Sequence, residues 1–316
     1  MNTLEFKNGD KMPALGLGTW KSEPGKVYEA VKTAIKIGYR HIDCAPIYGN
    51  EAEIGQAISE AIAEGLVKRN ELWITSKLWN DSHAREDVIP ALKKTLKDLQ
   101  IEYLDLFLIH WPVAIRKGVF LASSGNDLVS LKELPLTETW EAMESSVSMD
   151  LARHIGVSNF GLKNLSLLLD RSNIKPEMNQ VELHPYLQQD NLYQFCKEND
   201  ILLTAYSPLG SSDRPILMKA RNEPSLLKND TIVSIANSKS ITPAQVLLSW
   251  VLMRNISVIP KSVNPERMAQ NLAADNITLN ADEMALISKL EKGYRYITGQ
   301  FWVKKDGPYT LESVWQ

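Results

Sequence analysis

The sequence predicts an α/β barrel of eight parallel strands, each followed by a helix. Three observations carry that prediction. Short apolar or β-branched runs alternate with stretches of helical periodicity along the whole chain. Polar residues recur at the carboxyl end of one run after another. The G-x-G-x-x-G turn that opens a doubly wound dinucleotide-binding sheet is missing, because Gly16-Leu17-Gly18 has no third glycine in place. The 316 residues show no linker, composition shift or low-complexity tract, so one domain over 1–316 is expected.

The elements follow in order. A short hairpin opens the chain, with Asn8-Gly9 as the turn between Leu4 to Phe6 and Met12. The eight runs that read as buried parallel strands are Leu15 to Thr19, Tyr39 to Asp43, Leu72 to Ser76, Leu104 to Ile109, His154 to Val157, Met178 to Val181, Leu202 to Ala205 and Ser257 to Ile259. Helical spacing lies between them, as in Val27, Val31, Ala34, Ile35 and then Ile54, Ala57, Ile58, Ala61, Ile62, and each interval is expected to hold one crossover helix. Asp43 to Lys77 is 34 positions and Lys77 to His110 is 33, whereas His110 to Ser158 is 48 and Tyr206 to Lys261 is 55. Insertions are therefore expected around Val113 to Pro135 and Gly210 to Lys228, with a further irregular segment from Gly293 to Gln316. Loops after barrel strands lie on the catalytic face, which makes these three the expected substrate walls.

Charge and cysteine content exclude several functions. With 35 Lys+Arg against 38 Asp+Glu, no cationic field exists to hold nucleic acid or an anionic membrane. Cys44 and Cys196 stand far apart, in no metal-ligand spacing, which suits reduced thiols in a cytoplasmic protein. Met1 to Pro13 holds no apolar run long enough for a signal peptide or membrane span. No zinc or di-metal cluster emerges; His41 and His154 lie inside strands and read as structural, while His83 and His184 read as loop residues. Asp150 falls at a helix end that favours the left-handed conformation of glycine, at some local cost.

The functional signal is the set of polar residues that end the strands: Asp43, Lys77, His110, Ser158-Asn159, Gln180, Tyr206 and Lys261. In a barrel these ends converge on one mouth. Asp43, Tyr48, Lys77 and His110 contain the parts of a proton donor built on a phenol. A phenol is a weak acid, so a nearby cation is needed to stabilise the phenolate, and Lys77 with Asp43 as its counter-charge supplies one. His110 can direct a ring N–H at a carbonyl oxygen. Past the last strand, Lys261, Ser262, Asn264, Arg267 and Asn271 gather two cations, a hydroxyl and two amides near a helix start, which reads as a phosphate site.

At these residues the chain resembles the aldo-keto reductase family. The resemblance is carried, in family order, by Leu17-Gly18-Thr19-Trp20, Gly38-Tyr39-Arg40-His41-Ile42-Asp43 with Ala45-Pro46-Ile47-Tyr48-Gly49-Asn50-Glu51, Ile74-Thr75-Ser76-Lys77-Leu78-Trp79, Leu108-Ile109-His110-Trp111-Pro112, Ile155-Gly156-Val157-Ser158-Asn159-Phe160 and Ile259-Pro260-Lys261-Ser262. It implies an NAD(P)H-dependent carbonyl reductase with Tyr48 as general acid, Lys77 and Asp43 as its electrostatic support and His110 as the orienting donor. It further implies that Ser158, Asn159 and Gln180 hold the nicotinamide amide and that Tyr206 stacks on the nicotinamide face. Ser207, Leu209 and Ser211 would follow the pyrophosphate, with Asp213 as a latch, and Thr19 and Trp20 would adjoin the cofactor. The phosphate site becomes the pocket for an adenosine 2'-phosphate, which favours NADPH over NADH. Gln270 stands where many relatives carry Glu toward the adenine.

Trp20, Ile47, Trp79 and Trp111 beside the strand ends, and Phe120 and Trp302 on the long loops, form the expected aromatic substrate wall. The expected partner is a small carbonyl compound, with no nucleic acid and no membrane, and a monomer is expected rather than an oligomer. Aromatic or medium-chain aldehydes, and some ketones, are the expected substrates. Sugars are the alternative, through Ser123, Ser124, Asn126 and Asp127, and a Schiff-base lyase with Lys77 as nucleophile or a non-catalytic cofactor binder are the competing classes.

Overall fold

The computed structural model describes residues 2–316, so Met1, where the expected domain and the Met1 to Pro13 stretch both begin, lies outside the described residues. The opening hairpin forms as expected: β1 (Thr3–Glu5) pairs antiparallel with β2 (Lys11–Pro13). Leu4, Phe6 and Met12 pack on Trp73, Leu106, Leu108 and Met178, which plugs the amino-terminal end of the barrel.

Barrel strands β3 (Leu17–Gly18), β4 (His41–Asp43), β5 (Trp73–Leu78) and β6 (Leu104–Ile109) come next. The first insertion then folds as its own small hairpin, β7 (Ala114–Ile115) with β8 (Leu128–Val129), before β9 (Ala152–Ser158), β10 (Met178–Glu182), β11 (Leu202–Tyr206) and β12 (Ser257–Val258) complete the barrel. All neighbours are parallel, in chain order. The sheet closes on itself through bridges from Leu15 to Val258 and from Gly18 to Lys261. That seam requires Gly18, since a Cβ there would sit 2.7 Å from the Ile259 carbonyl oxygen. Closure excludes the doubly wound alternative. Four strands run further than expected from the sequence, so that Lys77, Ser158 and Tyr206 are strand residues rather than residues just beyond a strand.

Helices α1 (Lys26–Ile37), α2 (Glu51–Ala63), α3 (Arg85–Leu99), α4 (Leu136–Ser148), α5 (Leu162–Arg171) and α6 (Asp190–Glu198) are single crossovers. The first buries Val27, Ala30, Val31, Ala34 and Ile35, the stripe its periodicity predicts. The seventh interval departs from the expectation of one helix: it holds α7 (Asp230–Lys239) and α8 (Pro243–Leu252). Ser240 at φ 55 ends the first, and a capping box between Thr242 and Gln245 starts the second. Helix α8, buried on nearly every side, is the crossover, and α7 packs outside it. Helices α9 (Pro265–Ala273), α10 (Ala281–Ser288) and α11 (Leu311–Val314) follow. In the final segment Tyr309 ties the small hairpin together, its hydroxyl accepting from Ala114 N at 2.9 Å and donating to the Val129 carbonyl at 2.6 Å.

Structural roles for the in-strand histidines hold. His41 lies between Pro13 O (3.1 Å) and Thr75 Oγ1 (3.3 Å), and His154 between Asp10 and Glu177, each at 2.9 Å. His83 and His184 are loop residues by backbone, yet both are fully buried, and His184 reaches Glu182 at 2.8 Å. Asp150 adopts φ 56, the left-handed conformation that costs a non-glycine residue on the order of 1 kcal/mol. Both cysteines are free and buried. Among the described residues no helix is long and apolar enough to cross a membrane, and no group of three metal-ligating side chains comes together.

Glu51, in the first turn of α2, makes the fold pH-sensitive. It is buried, and its carboxylate accepts from Ser76 Oγ at 2.6 Å and Thr95 Oγ1 at 3.1 Å. Burial outweighs both bonds and raises its pKa from 4.5 to about 7. The folded protein thus binds this proton more tightly than the unfolded chain. Its contribution is complete below the unfolded value of 4.5 and is lost as pH rises through about 7, with a slope of up to about 1.4 kcal/mol per pH unit. Melting curves across that window should show Glu51→Gln gaining on the wild type as pH increases, and parallel pH dependences would refute the assignment.

Candidate active site

A cavity of about 1040 Å³ opens at the carboxyl end of the barrel. It gathers the strand-end residues in one place. Tyr48, His110 and the tryptophans line one part, and Lys261, Ser262, Asn264, Arg267, Gln270 and Asn271 line another. Thr19, Trp20, Ser158, Asn159, Gln180, Tyr206, Ser207, Leu209, Ser211 and Asp213 lie along the remainder.

Lys77 is absent from the lining because it lies beneath it, wholly buried within β5. Its Nζ donates to Asp43 Oδ2 (2.7 Å), Asp43 Oδ1 (2.9 Å) and the Cys44 carbonyl (2.9 Å), and stands 3.4 Å from the Tyr48 hydroxyl. Every ammonium proton thus has an acceptor, and no nitrogen lone pair is offered to a carbonyl carbon, which removes the geometric basis for a Schiff base. Asp43 Oδ1 also accepts from Gln180 Nε2 at 2.7 Å. The Thr19 hydroxyl donates to the Asp43 backbone carbonyl at 2.7 Å, and Asn50 holds the Thr19 carbonyl at 3.0 Å. This lattice of bonds fixes the ion pair under the floor.

Tyr48 ends a 3-10 turn (Pro46–Tyr48) that Pro46 starts and left-handed Gly49 stops. Burial, then the nearby Asp43 carboxylate, holds its pKa well above the ordinary phenol value. The phenol therefore keeps its proton at neutral pH and is available as the acid. His110 is edge-on to Tyr48 (centroids 6.0 Å apart) and to Trp79 (5.2 Å). Burial, reinforced by Lys77, pushes its pKa well below 6.5, so the imidazole is neutral. Its Nδ1 is sealed without a partner, leaving Nε2 to meet the cavity.

The amides expected to meet a carboxamide are largely engaged with the protein itself. Ser158 Oγ donates to the Gln180 carbonyl (2.8 Å), and Asn159 Nδ2 donates to the His110 carbonyl (2.9 Å) and Ser158 Oγ (3.2 Å). Asn159 Oδ1 accepts from the Tyr206 hydroxyl at 2.7 Å, which sets the Tyr206 ring at the cavity wall. Ser262 and Asn264 likewise serve their own turn, Ser262 Oγ accepting from Asn264 N and Asn264 Oδ1 capping α9 through Arg267 N. The guanidinium of Arg267 has no protein partner among the described residues, and Lys261 has only Asp213 at 3.7 Å. Asp213 has a partner that the sequence did not reveal: Lys21 Nζ donates to its Oδ1 at 2.6 Å and to Ser211 Oγ at 2.9 Å. The loop after β3 is thereby tied to the loop after β11, two segments about 190 positions apart.

The wall is aromatic. Trp302 lies 5.8 Å from Trp79 and 5.9 Å from Trp111, and Phe301, unforeseen from sequence, packs on both Trp111 and Trp302. Ile47, Met218 and Ile297 complete it. Phe120 lines the cavity at its rim, where the residue is 61% exposed, and its carbonyl holds Trp79 Nε1 at 3.0 Å. The polar side chains that could have turned inward do not. Asp127 accepts from the backbone and hydroxyl of both Ser123 and Ser124, and none of Ser123, Ser124, Asn126 and Asp127 lines the cavity.

A model of the Aldo/keto reductase family matches residues 14–292 of the chain. The chain belongs to that family. It is similar to an aldo/keto reductase of Synechocystis sp., at 53% identity over 315 residues, 100% of this chain and 96% of the relative. Similarity to aldo-keto reductase family 1 member A1 of Homo sapiens is 46% over 291 residues, covering 92% of this chain and 89% of the relative. Among solved structures, aldose reductase from Schistosoma japonicum superposes with a TM-score of 0.87 at 38% identity, over 95% of this chain and 96% of that one. As an aldo/keto reductase the protein is an oxidoreductase acting on carbonyl groups, and its family works with nicotinamide cofactors. The cavity fits such a cofactor by its donor set. The uncompensated Arg267 and weakly paired Lys261 suit a phosphate, the flat Tyr206 ring suits an aromatic face, and Gln180 keeps its Oε1 free for an amide N–H.

Proposed function

We propose that this aldo/keto reductase uses NADPH, with NADH as a weaker substitute, to reduce aromatic or medium-chain aldehydes and some ketones to alcohols, acting in the cytoplasm as a monomer with one domain over 1–316. The observation that carries the reading is the half-buried Tyr48 hydroxyl, 3.4 Å from the Nζ of a buried Lys77 paired with Asp43, at the floor of an aromatic-walled cavity.

A bound nicotinamide supplies the hydride to the carbonyl carbon. Gln180, beside Ser158 and Asn159, would hold its amide and Tyr206 would support its ring, while Lys261 and Arg267, among Ser262, Asn264, Gln270 and Asn271, would take the adenosine phosphate end. Lys21 with Asp213, beside Ser207, Leu209 and Ser211, would hold the bridge between them. Neutral His110 directs an N–H at the carbonyl oxygen and orients it, and Tyr48 gives that oxygen its proton as negative charge develops there. Lys77, 3.4 Å behind the phenol, stabilises the phenolate left by that transfer.

Substrate preference follows from desolvation. Each sugar hydroxyl that loses water without a protein partner costs about 1 to 3 kcal/mol, more than the ~0.5 to 1.5 kcal/mol an aromatic contact returns. Steady-state kinetics should therefore give 4-nitrobenzaldehyde a kcat/KM at least about tenfold above that of xylose or glucose, equivalent to ~1.4 kcal/mol. A sugar that equals or exceeds the aldehyde would overturn the apolar-wall argument.

Cofactor choice rests on Arg267 and Lys261. Deleting one partner of a charge-assisted contact costs about 1.5 to 3 kcal/mol, so Arg267→Ala should weaken NADPH binding roughly tenfold or more and leave NADH nearly unchanged. Equal weakening of the two would place the phosphate elsewhere.

A further inference from the structure

Trp315 and Gln316 take no part in the chemistry above, and neither lines the cavity. They are nevertheless seated from several sides. The Gln316 carbonyl oxygen accepts from the backbone N–H groups of Gly161 (3.1 Å) and Asn164 (3.4 Å) at the start of α5, and Gln316 Oε1 accepts from Lys163 Nζ at 2.8 Å. Trp315 Nε1 donates to the Thr298 carbonyl at 2.9 Å. Its ring lies 3.7 Å from the Arg295 guanidinium carbon on one side and meets the Trp111 ring at 5.3 Å and 60° on another. Gly161 is what admits the segment: a Cβ there would stand 2.1 Å from the Trp315 carbonyl oxygen and 2.6 Å from the Gln316 carbonyl carbon.

A run of aromatic rings connects this seat to the substrate wall. Trp315 touches Trp111, Trp111 touches Trp302, and Trp302 touches Trp79. The inner three line the cavity, and the outermost is followed by Gln316, which is bonded to the start of α5, three residues past Asn159. Close-packed rings have few alternative arrangements, so fixing the outer one restricts the next.

We propose that Trp315 is a positioning residue for the substrate wall: held by Thr298 and Arg295, and through Gln316 by Gly161 and the first turn of α5, it keeps Trp111 in place and so sets how well ring-bearing aldehydes bind. It touches neither substrate nor cofactor. The proposal rests on the carbonyl-reductase reading of the cavity and adds how its specificity is held. A wall that is already ordered adds no ordering cost when a substrate ring stacks on it. Loss of that order removes binding shared by the ground and transition states, which raises KM and leaves kcat. A small aldehyde that reaches only Tyr48 and His110 does not register the change.

The test uses the full chain with Trp315→Ala, Trp315→Phe and Gly161→Ala, assayed on 4-nitrobenzaldehyde and on propanal, with NADPH affinity read by fluorescence quenching. Trp315→Ala should raise KM for 4-nitrobenzaldehyde about fivefold or more, with kcat, the propanal KM and NADPH affinity within about twofold. Trp315→Phe, which keeps a ring against Trp111 and loses only the N–H to Thr298, should recover most of that loss. Gly161→Ala should reproduce it by unseating the segment while every aromatic side chain is retained; if that variant does not fold, the contrast between Ala and Phe at Trp315 decides. An unchanged KM in Trp315→Ala, or equal rises for both aldehydes, would overturn the proposal. Wild-type protein that reduces neither aldehyde with NADPH would instead overturn the reading of the cavity, and this proposal with it.

Discussion

Tyr48→Phe is expected to lower carbonyl reduction by at least about 100-fold, the scale of a lost general acid, while NADPH affinity stays nearly unchanged. The substitution deletes one oxygen and keeps a ring that packs among Trp20 and His110. No other group in the structure is placed to replace the proton. His110 is neutral, because burial holds its pKa well below 6.5, and the protons of Lys77 are committed to Asp43 and the Cys44 carbonyl. Single-turnover rates with 4-nitrobenzaldehyde, beside NADPH binding by fluorescence quenching, separate the two effects. Turnover within about threefold of the wild type would remove Tyr48 from the chemistry, since a general acid contributes at least ~100-fold.

Lys77→Met should have the largest effect on stability. Methionine approximates the length of the lysine stem but leaves Asp43, which is 2% exposed, with the Gln180 amide as its remaining side-chain donor. Breaking a buried pair from one side costs about 3 to 5 kcal/mol, because the surviving charge is stranded away from water. Replacing both members removes the stranded charge, so Asp43→Asn combined with Lys77→Met should be more stable than Lys77→Met alone. Urea denaturation measures this directly. A loss below about 1 kcal/mol in the single variant, or no recovery in the double, would show that Asp43 finds compensation elsewhere. Both variants should also reduce slowly, since the cation behind the Tyr48 phenolate is gone.

Eight strands and the seven polar positions near their carboxyl ends were legible because both are local. Alternation of apolar runs reports burial on both faces of a strand, and a polar side chain near the end of a run marks its approach to the rim. The seventh interval misled because its length is shared between a loop and two helices: the break at Ser240 is a left-handed serine where a glycine would be the usual mark, and the Thr242-Pro243 signal that starts the second helix was passed over. Lys21 was missed for a different reason. Its partner Asp213 is 192 positions away, and a lone lysine after a strand carries no sign of which carboxylate it will meet.

Residue identity at the strand ends was therefore enough to gather Tyr48, Lys77, Asp43 and the residues proposed for a phosphate at one mouth, because barrel closure brings every strand's carboxyl end to the same rim. It could not decide which hydrogen each donor spends on its own protein, or which way an inserted loop turns. Asp127 drew Ser123 and Ser124 onto itself instead of leaving them to a substrate, Phe120 at the rim added a carbonyl that holds Trp79, and Trp315 came to rest against Trp111. Those outcomes depend on contacts between segments far apart in the chain, whose energies differ by little more than one hydrogen bond and are settled only when the whole rim packs.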